Sequence, residues 1–214
     1  MTHNFKNILK LFSFLVAALS LTTPVAFAMD LSPFSDLGAY YTSKSGDVAA
    51  AQIKQEGQGN KGEITQTMDP TALSDGGSFA EIIQTGSVNQ AYIRQEGKVN
   101  NASVTQSDTN NYASLAQIGT NNANVEQKGS NNHALTMQDG SLNSIELKQS
   151  DGANFFSGTQ DGVNNKMTVV QPGSAISTMS EIGNNNSITL IQKVGGLYDI
   201  KINGNNITFE VTQR

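Results

Sequence analysis

The stretch Asn89-Gln90-Ala91-Tyr92-Ile93-Arg94-Gln95-Glu96-Gly97 contains one full copy of the pattern that decides the fold. Ala91, Ile93 and Gln95 alternate with single intervening positions, and this period of two indicates a β-strand with one buried face. A helix would instead need apolar residues three and four positions apart. Gly97 follows the strand, and glycine adopts the positive φ of a tight turn without steric cost. The stretch therefore predicts a strand followed by a turn.

The glutamine of this unit recurs along the chain as an anchor. Gln84 and Gln95 are 11 positions apart, and Gln117 and Gln127 are 10 positions apart. The anchors are Gln55, Gln66, Gln84, Gln95, Gln106, Gln117, Gln127, Gln138, Gln149, Gln160, Gln171, Gln192 and Gln213. Two successive units close one coil, so we predict an all-β, two-sided β-solenoid (β-helix) of about seven 22-residue coils over residues 49–214.

Alternate anchors belong to opposite faces of the predicted coil. Face one carries glutamine at every level, namely Gln55, Gln84, Gln106, Gln127, Gln149, Gln171, Gln192 and Gln213. Face two carries Gln66, Gln95, Gln117, Gln138 and Gln160, followed by Glu181 and Ile202 in the same phase. Face two therefore departs from the glutamine pattern near its C-terminal end. Its inward pair Phe156 and Gly158 places a large residue beside one with no side chain, as close packing requires.

Each strand is predicted to turn at a glycine two residues after the anchor. These glycines are Gly57, Gly86, Gly97, Gly119, Gly129, Gly140, Gly162, Gly173 and Gly183. Asp108 and Asp151 replace glycine at this position in two units, and aspartate tolerates a positive φ better than most residues.

Stacked amides are the predicted source of cohesion between coils. Adjacent strands lie about 4.8 Å apart, so identical glutamines in register can donate to one neighbour and accept from the other. A one-residue slip would bury the wrong face, so the column also fixes the register. We expect the asparagines to form a similar column at the opposite corner: Asn89, Asn100, Asn111, Asn121, Asn132, Asn143, Asn154, Asn165 and Asn186.

The C-terminal edge of the repeat carries the functional prediction. The sequence stops at Arg214, one residue after the last anchor, so the strand predicted over 207–213 has no following repeat to cover it. An uncovered strand edge pairs with other chains, and a head-to-tail contact that does not close grows a filament. The alternative is a monomeric protein, in which the charges of Glu210, Arg214 and the chain terminus prevent another strand from pairing with this edge.

Residues 1–28 are predicted to be a secretory signal peptide, with Lys6 and Lys10 before an apolar run and cleavage between Ala28 and Met29. A membrane-spanning helix is the alternative, although the apolar run is shorter than the roughly 18 to 20 residues that spanning needs. Residues 29–48 fall outside the repeat, and capping of the N-terminal edge, a secretion handle and disorder all remain open. A loop insertion is predicted at 67–77, either inert or a local brake on assembly.

Composition excludes several function classes. Without Lys6 and Lys10, the 13 basic residues become 11 against 18 acidic ones, a net charge of −7, which disfavours a nucleic-acid partner. The chain has no cysteine, so an exported protein of this kind is held together by repetition and not by disulfides. His133 has no second histidine in the mature chain to form a metal site and is expected to be solvated. We predict no catalytic, metal or cofactor site.

The repeat resembles that of the curlins, the subunits of curli fibres on Gram-negative bacteria. The family signature is Ser-x5-Gln-x-Gly-x-x-Asn-x-Ala-x3-Gln, and Gln95, Gly97, Asn100, Ala102 and Gln106 match its second part. Ser78 followed by Gln84 matches its first part. The resemblance covers roughly residues 49–214, although most units replace the leading serine with asparagine.

Within this family, Val211-Thr212-Gln213-Arg214 is similar to the tail of the minor curlin, the surface-anchored nucleator, and the glycine-rich leader of the major subunit is missing. The mixed charges near the C-terminus and the larger number of repeats depart from the nucleator pattern. The resemblance implies export, passage through a dedicated outer-membrane channel with accessory proteins, and assembly with itself and another curlin subunit into a fimbrium of the biofilm matrix.

Three function classes are therefore distinguished. The first is a subunit of a curli-type amyloid fibre, in nucleating or major form. The second is a monomeric β-solenoid that binds ice or glycans, which predicts a regular outward column of threonines or aromatic residues. Outward positions such as those at 101, 103 and 105, or 133, 135 and 137, vary in the sequence and disfavour it. The third, a glycosidase, would need longer loops to build a cleft.

Overall fold

The computed structural model describes residues 28–30, 39–44, 49–67 and 77–213, with side chains from 49 onward within those ranges. Apart from Ala28, the predicted signal peptide lies outside the described residues. Most of the predicted insertion, residues 68–76, also lies outside them, as does Arg214. Among the residues that the structure describes, none forms a helix long and apolar enough to span a membrane.

Every described element is a β-strand. In chain order they are β1 (Ala28–Asp30), β2 (Ala39–Lys44), β3 (Ala50–Gln58), β4 (Lys61–Thr67), β5 (Phe79–Ser87), β6 (Gln90–Gly97), β7 (Asn101–Thr109), β8 (Tyr112–Gln127), β9 (His133–Ser150), β10 (Phe155–Val163), β11 (Lys166–Pro172), β12 (Ile176–Asn184), β13 (Ser187–Ile191), β14 (Leu197–Asn203) and β15 (Thr208–Thr212).

All strand pairs are parallel, and each strand pairs with its counterpart one coil away. Face one contains β3, β5, β7, β11, β13 and β15, and face two contains β4, β6, β10, β12 and β14. The long strands β8 and β9 run through a corner and contribute to both faces. This arrangement confirms the predicted two-sided β-solenoid.

The register keeps equal residues above one another. Gln84 pairs with Gln106, and Gln106 pairs with Gln127, which are offsets of 22 and 21 residues. Gln55 pairs with Gln84, an offset of 29. The difference, 29 − 22 = 7, shows that seven extra residues enter this coil without disturbing the register on either side.

The core lies between the two faces and is built by alternate residues of each strand. Ile82, Val104 and Leu147 are fully buried, while their sequence neighbours point outward. At Gly158 an added Cβ would lie 2.4 Å from the Phe156 ring. The predicted pairing of a large residue with glycine is therefore present, and it is needed because the core has no space for both side chains.

The N-terminal segment contributes two strands that the repeat pattern did not predict. β1 pairs with β3 from Ala28↔Ala51 to Asp30↔Ile53, and β2 pairs with β4 from Ala39↔Gly62 to Lys44↔Thr67. The backbone of β2 thus lies along the outer edge of β4, which is the place that the capping alternative assigns to this segment.

Candidate functional site: the amide columns and the coil edges

Hydrogen-bonded glutamines form a column on face one. The Nε2 of Gln55 donates to Oε1 of Gln84 at 2.6 Å, and Gln84 donates in the same way to Gln106 at 2.7 Å. The remaining bonds are Gln106 to Gln127 (2.7 Å), Gln127 to Gln149 (2.8 Å), Gln149 to Gln171 (2.8 Å) and Gln171 to Gln192 (2.9 Å). These side chains are buried, so the bonds replace the water that an isolated amide would need.

Face two has an equivalent column that ends earlier. Its bonds run from Gln66 to Gln95 (2.7 Å), Gln95 to Gln117 (2.9 Å), Gln117 to Gln138 (2.9 Å) and Gln138 to Gln160 (2.9 Å). Gln160 donates to Oε2 of Glu181 at 2.6 Å, and Glu181 pairs in register with Ile202. Ile202 has no polar side-chain atom, so the column cannot pass through it.

All of these bonds point in one direction along the solenoid. In each, the earlier coil provides the Nε2 donor and the later coil provides the acceptor, which is Oε1 of a glutamine or, in the last bond of face two, Oε2 of Glu181. The first acceptors, Oε1 of Gln55 and Oε1 of Gln66, are buried and have no hydrogen-bond partner. The N-terminal end of each column is therefore an unfilled acceptor.

Glu181 is the one carboxyl group placed in a glutamine column. Its side chain is fully buried, and its Oε1 has no hydrogen-bond partner. Burial raises the pKa of Glu181 to about 7, because desolvation penalises the charged form more than the bond from Gln160 stabilises it. When ionised, this side chain accepts hydrogen bonds but cannot donate one.

The asparagines differ from the glutamines in their position and in their partners. They occupy two corners: Asn60, Asn89, Asn111, Asn132 and Asn154 at one, and Asn100, Asn121, Asn143, Asn165 and Asn186 at the other. Ser78 takes the first place at the second corner and accepts from the Asn100 amide at 3.1 Å. The sequence prediction did not include Asn60 and Ser78, although both stand at the repeat positions that the other members of their columns occupy.

We expected the asparagine side chains to bond to one another, but most of their hydrogen bonds run to the backbone. Oδ1 of Asn143 accepts from the Asn165 backbone N–H at 3.0 Å. Its Nδ2 donates to the carbonyl oxygens of Asp139 and Gly162, both at 3.0 Å. The shorter asparagine side chain reaches the turn backbone, so these residues satisfy the groups that leave the strand ladder at each corner. Bonds between side chains occur at one corner, for example from Asn111 to Asn89 at 3.1 Å.

The glycines of the predicted turn positions all have positive φ: Gly57, Gly86, Gly97, Gly119, Gly129, Gly140, Gly162, Gly173 and Gly183. In the turns that follow face two, the next coil also leaves no space for a Cβ atom. A Cβ on Gly119 would lie 1.9 Å from the carbonyl oxygen of Gly140 in the next coil. Gly204, which the sequence reasoning omitted, continues this column below Gly183.

At the C-terminal edge, β14 pairs only with β12 and β15 only with β13 among the described strands. Phe209 is 42% exposed there, and Tyr198 and Val211 are partly buried against the core. Oε1 of Gln213 accepts from the Lys193 backbone N–H at 3.3 Å. This edge has unpaired backbone groups beside apolar side chains, which is the combination that pairs with another strand.

The outer surface of face two contains a ring stack that the sequence reasoning missed. Ring centroids are 4.6 Å apart between Tyr112 and His133, and 5.3 Å apart between His133 and Phe155. Tyr92 lies 5.7 Å from Tyr112, with Lys61 Nζ 4.9 Å from the Tyr92 centroid. The expectation of a solvated His133 was wrong, because the ring is half-buried in this stack and burial lowers its pKa. Among the described side chains, no group of three or more acidic, histidine or cysteine residues could hold a metal ion.

Comparison with protein families agrees with this geometry. Residues 77–107 and 121–150 match the family described as Curlin associated repeat. These two segments are similar to curlin repeats. The matched segments contain the anchors Gln84, Gln95, Gln106, Gln127, Gln138 and Gln149. The match supports the resemblance to the curlin family. No curated protein matches the chain.

Proposed function

We propose that the chain is a structural subunit of an extracellular curli-type amyloid fibre. The observation that carries this proposal is the pair of glutamine columns that link successive coils, together with β14 and β15, each of which pairs on one side only among the described strands. A fibre would continue the parallel strand pairing from one copy to the next, since the strand edges repeat along the solenoid axis. The curlin repeat match supports the same role.

Within this role, we propose the minor, surface-associated subunit that nucleates the major subunit. The support is the likeness of the residues from Val211 onward to the minor curlin tail. The alternative is the major subunit itself. The proposal also includes export through a signal peptide at residues 1–28, passage through the curli secretion channel with accessory proteins, and assembly on the surface of a Gram-negative bacterium.

Timed polymerisation tests both parts of this proposal. Purified unfolded chain is added in seed amounts to a major curlin, and amyloid-dye fluorescence is followed. A nucleator shortens the lag of the major curlin, whereas an unchanged lag removes the nucleating role. The chain alone should form fibres with the cross-β spacings of about 4.8 and 10 Å, and their absence would remove the fibre role.

A monomeric ligand-binding solenoid remains a second candidate because of the ring stack at Tyr112, His133 and Phe155. The interplanar angles of 15° and 17° show that these rings cover one another's faces. A sugar ring stacks on an aromatic face, so this arrangement offers it mainly ring edges. The fibre role is therefore favoured. Light scattering that shows a monomer after days at micromolar concentration would reverse this preference.

A further inference from the structure

The two ends of the solenoid present different chemistry to an incoming coil. At the N-terminal edge, both columns end in a buried acceptor, Oε1 of Gln55 and Oε1 of Gln66, and neither has a partner. Because each column bond runs from an earlier to a later coil, an edge that docks here must bring two amide donors, one on each face.

Within the described residues, the last coil brings only one of these donors to its outer edge. On face one, Gln213 follows β15 and carries an Nε2 amide, while its Oε1 accepts from the Lys193 backbone N–H at 3.3 Å. On face two, the corresponding position is Ile202, which is buried and apolar. Glu181, one coil earlier, has already ended the series of donors on that face. Face one therefore has an amide donor to offer at a junction, and face two has none.

The sizes of the side chains at a junction do not cause this difference between the two faces. In a head-to-tail junction, Phe209 and Tyr198 of one copy would meet Ala51 and Gly62 of the next, which have the same inward phase. Large residues would face small ones on both faces, as close packing requires. The defect is the missing donor opposite Gln66, and a buried acceptor without a donor lowers the stability of a contact.

We propose that the N-terminal edge is a docking surface for a second kind of repeat chain, one whose last coil carries glutamine on both faces, and that copies of this chain stack on one another more weakly. This inference rests on the proposed fibre role and deepens it, because it states which partner the edge fits. Heterologous contact of this kind suits a subunit that meets another chain at its end.

Docking at this edge requires β1 to leave β3 on face one and β2 to leave β4 on face two. β2 pairs with β4 through its backbone, and Ser43 occupies the register position opposite Gln66. Gln66 Oε1 nevertheless lacks a partner in that arrangement. An incoming strand that carries glutamine replaces the backbone pairing of β2 and adds the missing donor, so the exchange favours the incoming chain.

A direct test converts face two into a copy of face one. The double variant E181Q/I202Q supplies donors at both levels, whereas E181Q/I202V removes the carboxylate but keeps an apolar end and serves as the matched control. I202Q alone is a second control. Beside an ionised Glu181, the amide of residue 202 would point its Nε2 back toward the carboxylate and its oxygen outward, which repeats the acceptor at the junction.

The experiment measures extension of sonicated wild-type fibre seeds by each monomer, with amyloid-dye fluorescence as the rate and electron microscopy as the check on fibre form. We expect E181Q/I202Q to extend wild-type seeds roughly tenfold faster than wild type does, which corresponds to about 1.4 kcal/mol. E181Q/I202V and I202Q should stay within about twofold of wild type at pH 8. Equal rates for the double variant and E181Q/I202V would overturn the proposal.

A second variant covers the case in which the double variant does not fold. Q213I removes the remaining donor at a residue whose side chain is only half-buried, and we expect extension of wild-type seeds to slow roughly tenfold. Extension at the wild-type rate would also overturn the proposal. If wild type forms no cross-β fibre with its own seeds, the fibre role itself fails. If wild type and the double variant extend equally fast, the fibre role stands and only this inference is lost.

Discussion

Faces one and two are built from the same repeat, yet only face one keeps glutamine at every level. On face two, Gln160 meets Glu181 and then Ile202. The difference shows what an amide column requires. Each member must accept from one neighbour and donate to the other, and a single acceptor-only residue stops the series even when its size and burial fit.

The turns that follow the two faces differ as well. After face two, glycines from Gly97 to Gly183 stack directly, and each would place a Cβ within 2.4 Å of the next carbonyl oxygen. After face one, Asp108 and Asp151 occupy the turn column with φ of 72° and 63°. The face-two turns therefore require glycine because of space. On face one, Gly57 and Gly86 are equally constrained, with a Cβ 1.8 and 2.0 Å from the next carbonyl oxygen, whereas the turns at Asp108 and Asp151 require only a left-handed backbone.

The largest expected effect comes from breaking this glycine column. G119A combines φ of 103° with a Cβ 1.9 Å from the Gly140 oxygen, and we expect a loss of about 4 kcal/mol or more in unfolding free energy. G173A is the matched control, since φ is 61° and the nearest atoms to a Cβ are 3.6 Å away, and it should cost about 1 to 2 kcal/mol. Guanidinium unfolding of dilute monomer, followed by circular dichroism, measures both. Similar losses would show that space does not distinguish the turns.

The next effect comes from interrupting face one in its middle. Gln127 accepts from Gln106 at 2.7 Å and donates to Gln149 at 2.8 Å and to the Tyr112 carbonyl at 2.9 Å. Q127L leaves these buried partners unpaired, and we expect a loss of about 3 kcal/mol. The neighbouring E126Q changes an exposed side chain and should stay within about 0.5 kcal/mol. An equally small effect of Q127L would mean that the column contributes little to stability.

Restoring the amide at the break in face two should have a smaller, pH-dependent effect. The pKa of Glu181 in the folded state is about 7, above its ordinary value of 4.5. Between these two pH values, the folded state therefore keeps a proton that the unfolded state releases. The stability of wild type should therefore rise as pH falls from 8 toward 4.5, and the ionised carboxylate should cost about 2 kcal/mol above pH 7. E181Q should be more stable than wild type at pH 8 by this amount and nearly equal at pH 4.5. A difference that is independent of pH would contradict the assignment.

The smallest effects compare the outer surfaces. H133S removes the ring between Tyr112 and Phe155, and we expect a loss of about 1 kcal/mol at pH 8. On face one, K148A removes an exposed ion pair with Glu146 at 3.1 Å, and its cost should be below about 0.5 kcal/mol. Thermal unfolding of the two variants under the same conditions measures this difference. Equal costs would show that the stack contributes no more than a surface ion pair.

Much of the architecture could be predicted because inward residues alternate along each strand. The phase of Ile93 and Gln95 was enough to assign the buried face, and the spacing of anchors was enough to assign the coil. The packing of Phe156 beside Gly158 could be predicted for the same reason, since residues two positions apart on a strand lie on the same side of it.

Features that join different coils were harder to predict. Tyr112, His133 and Phe155 come together only when coils of 21 and 22 residues are stacked, and their spacing leaves no local signal. The common direction of the glutamine bonds is equally invisible in sequence, because each amide permits either orientation until its neighbours fix it. The bonds from Asn143 to the turn backbone depend on the corner geometry, which period-two alternation does not specify.

The common orientation of the side-chain amides also gives the solenoid an electrical axis. Strand dipoles in a sheet are small, but the amides in both glutamine columns align from one coil to the next. Aligned amides polarise one another, so every added level strengthens those already in place. A filament made from such units would carry partial positive charge at one tip and partial negative charge at the other, and an electric field would orient it along its length.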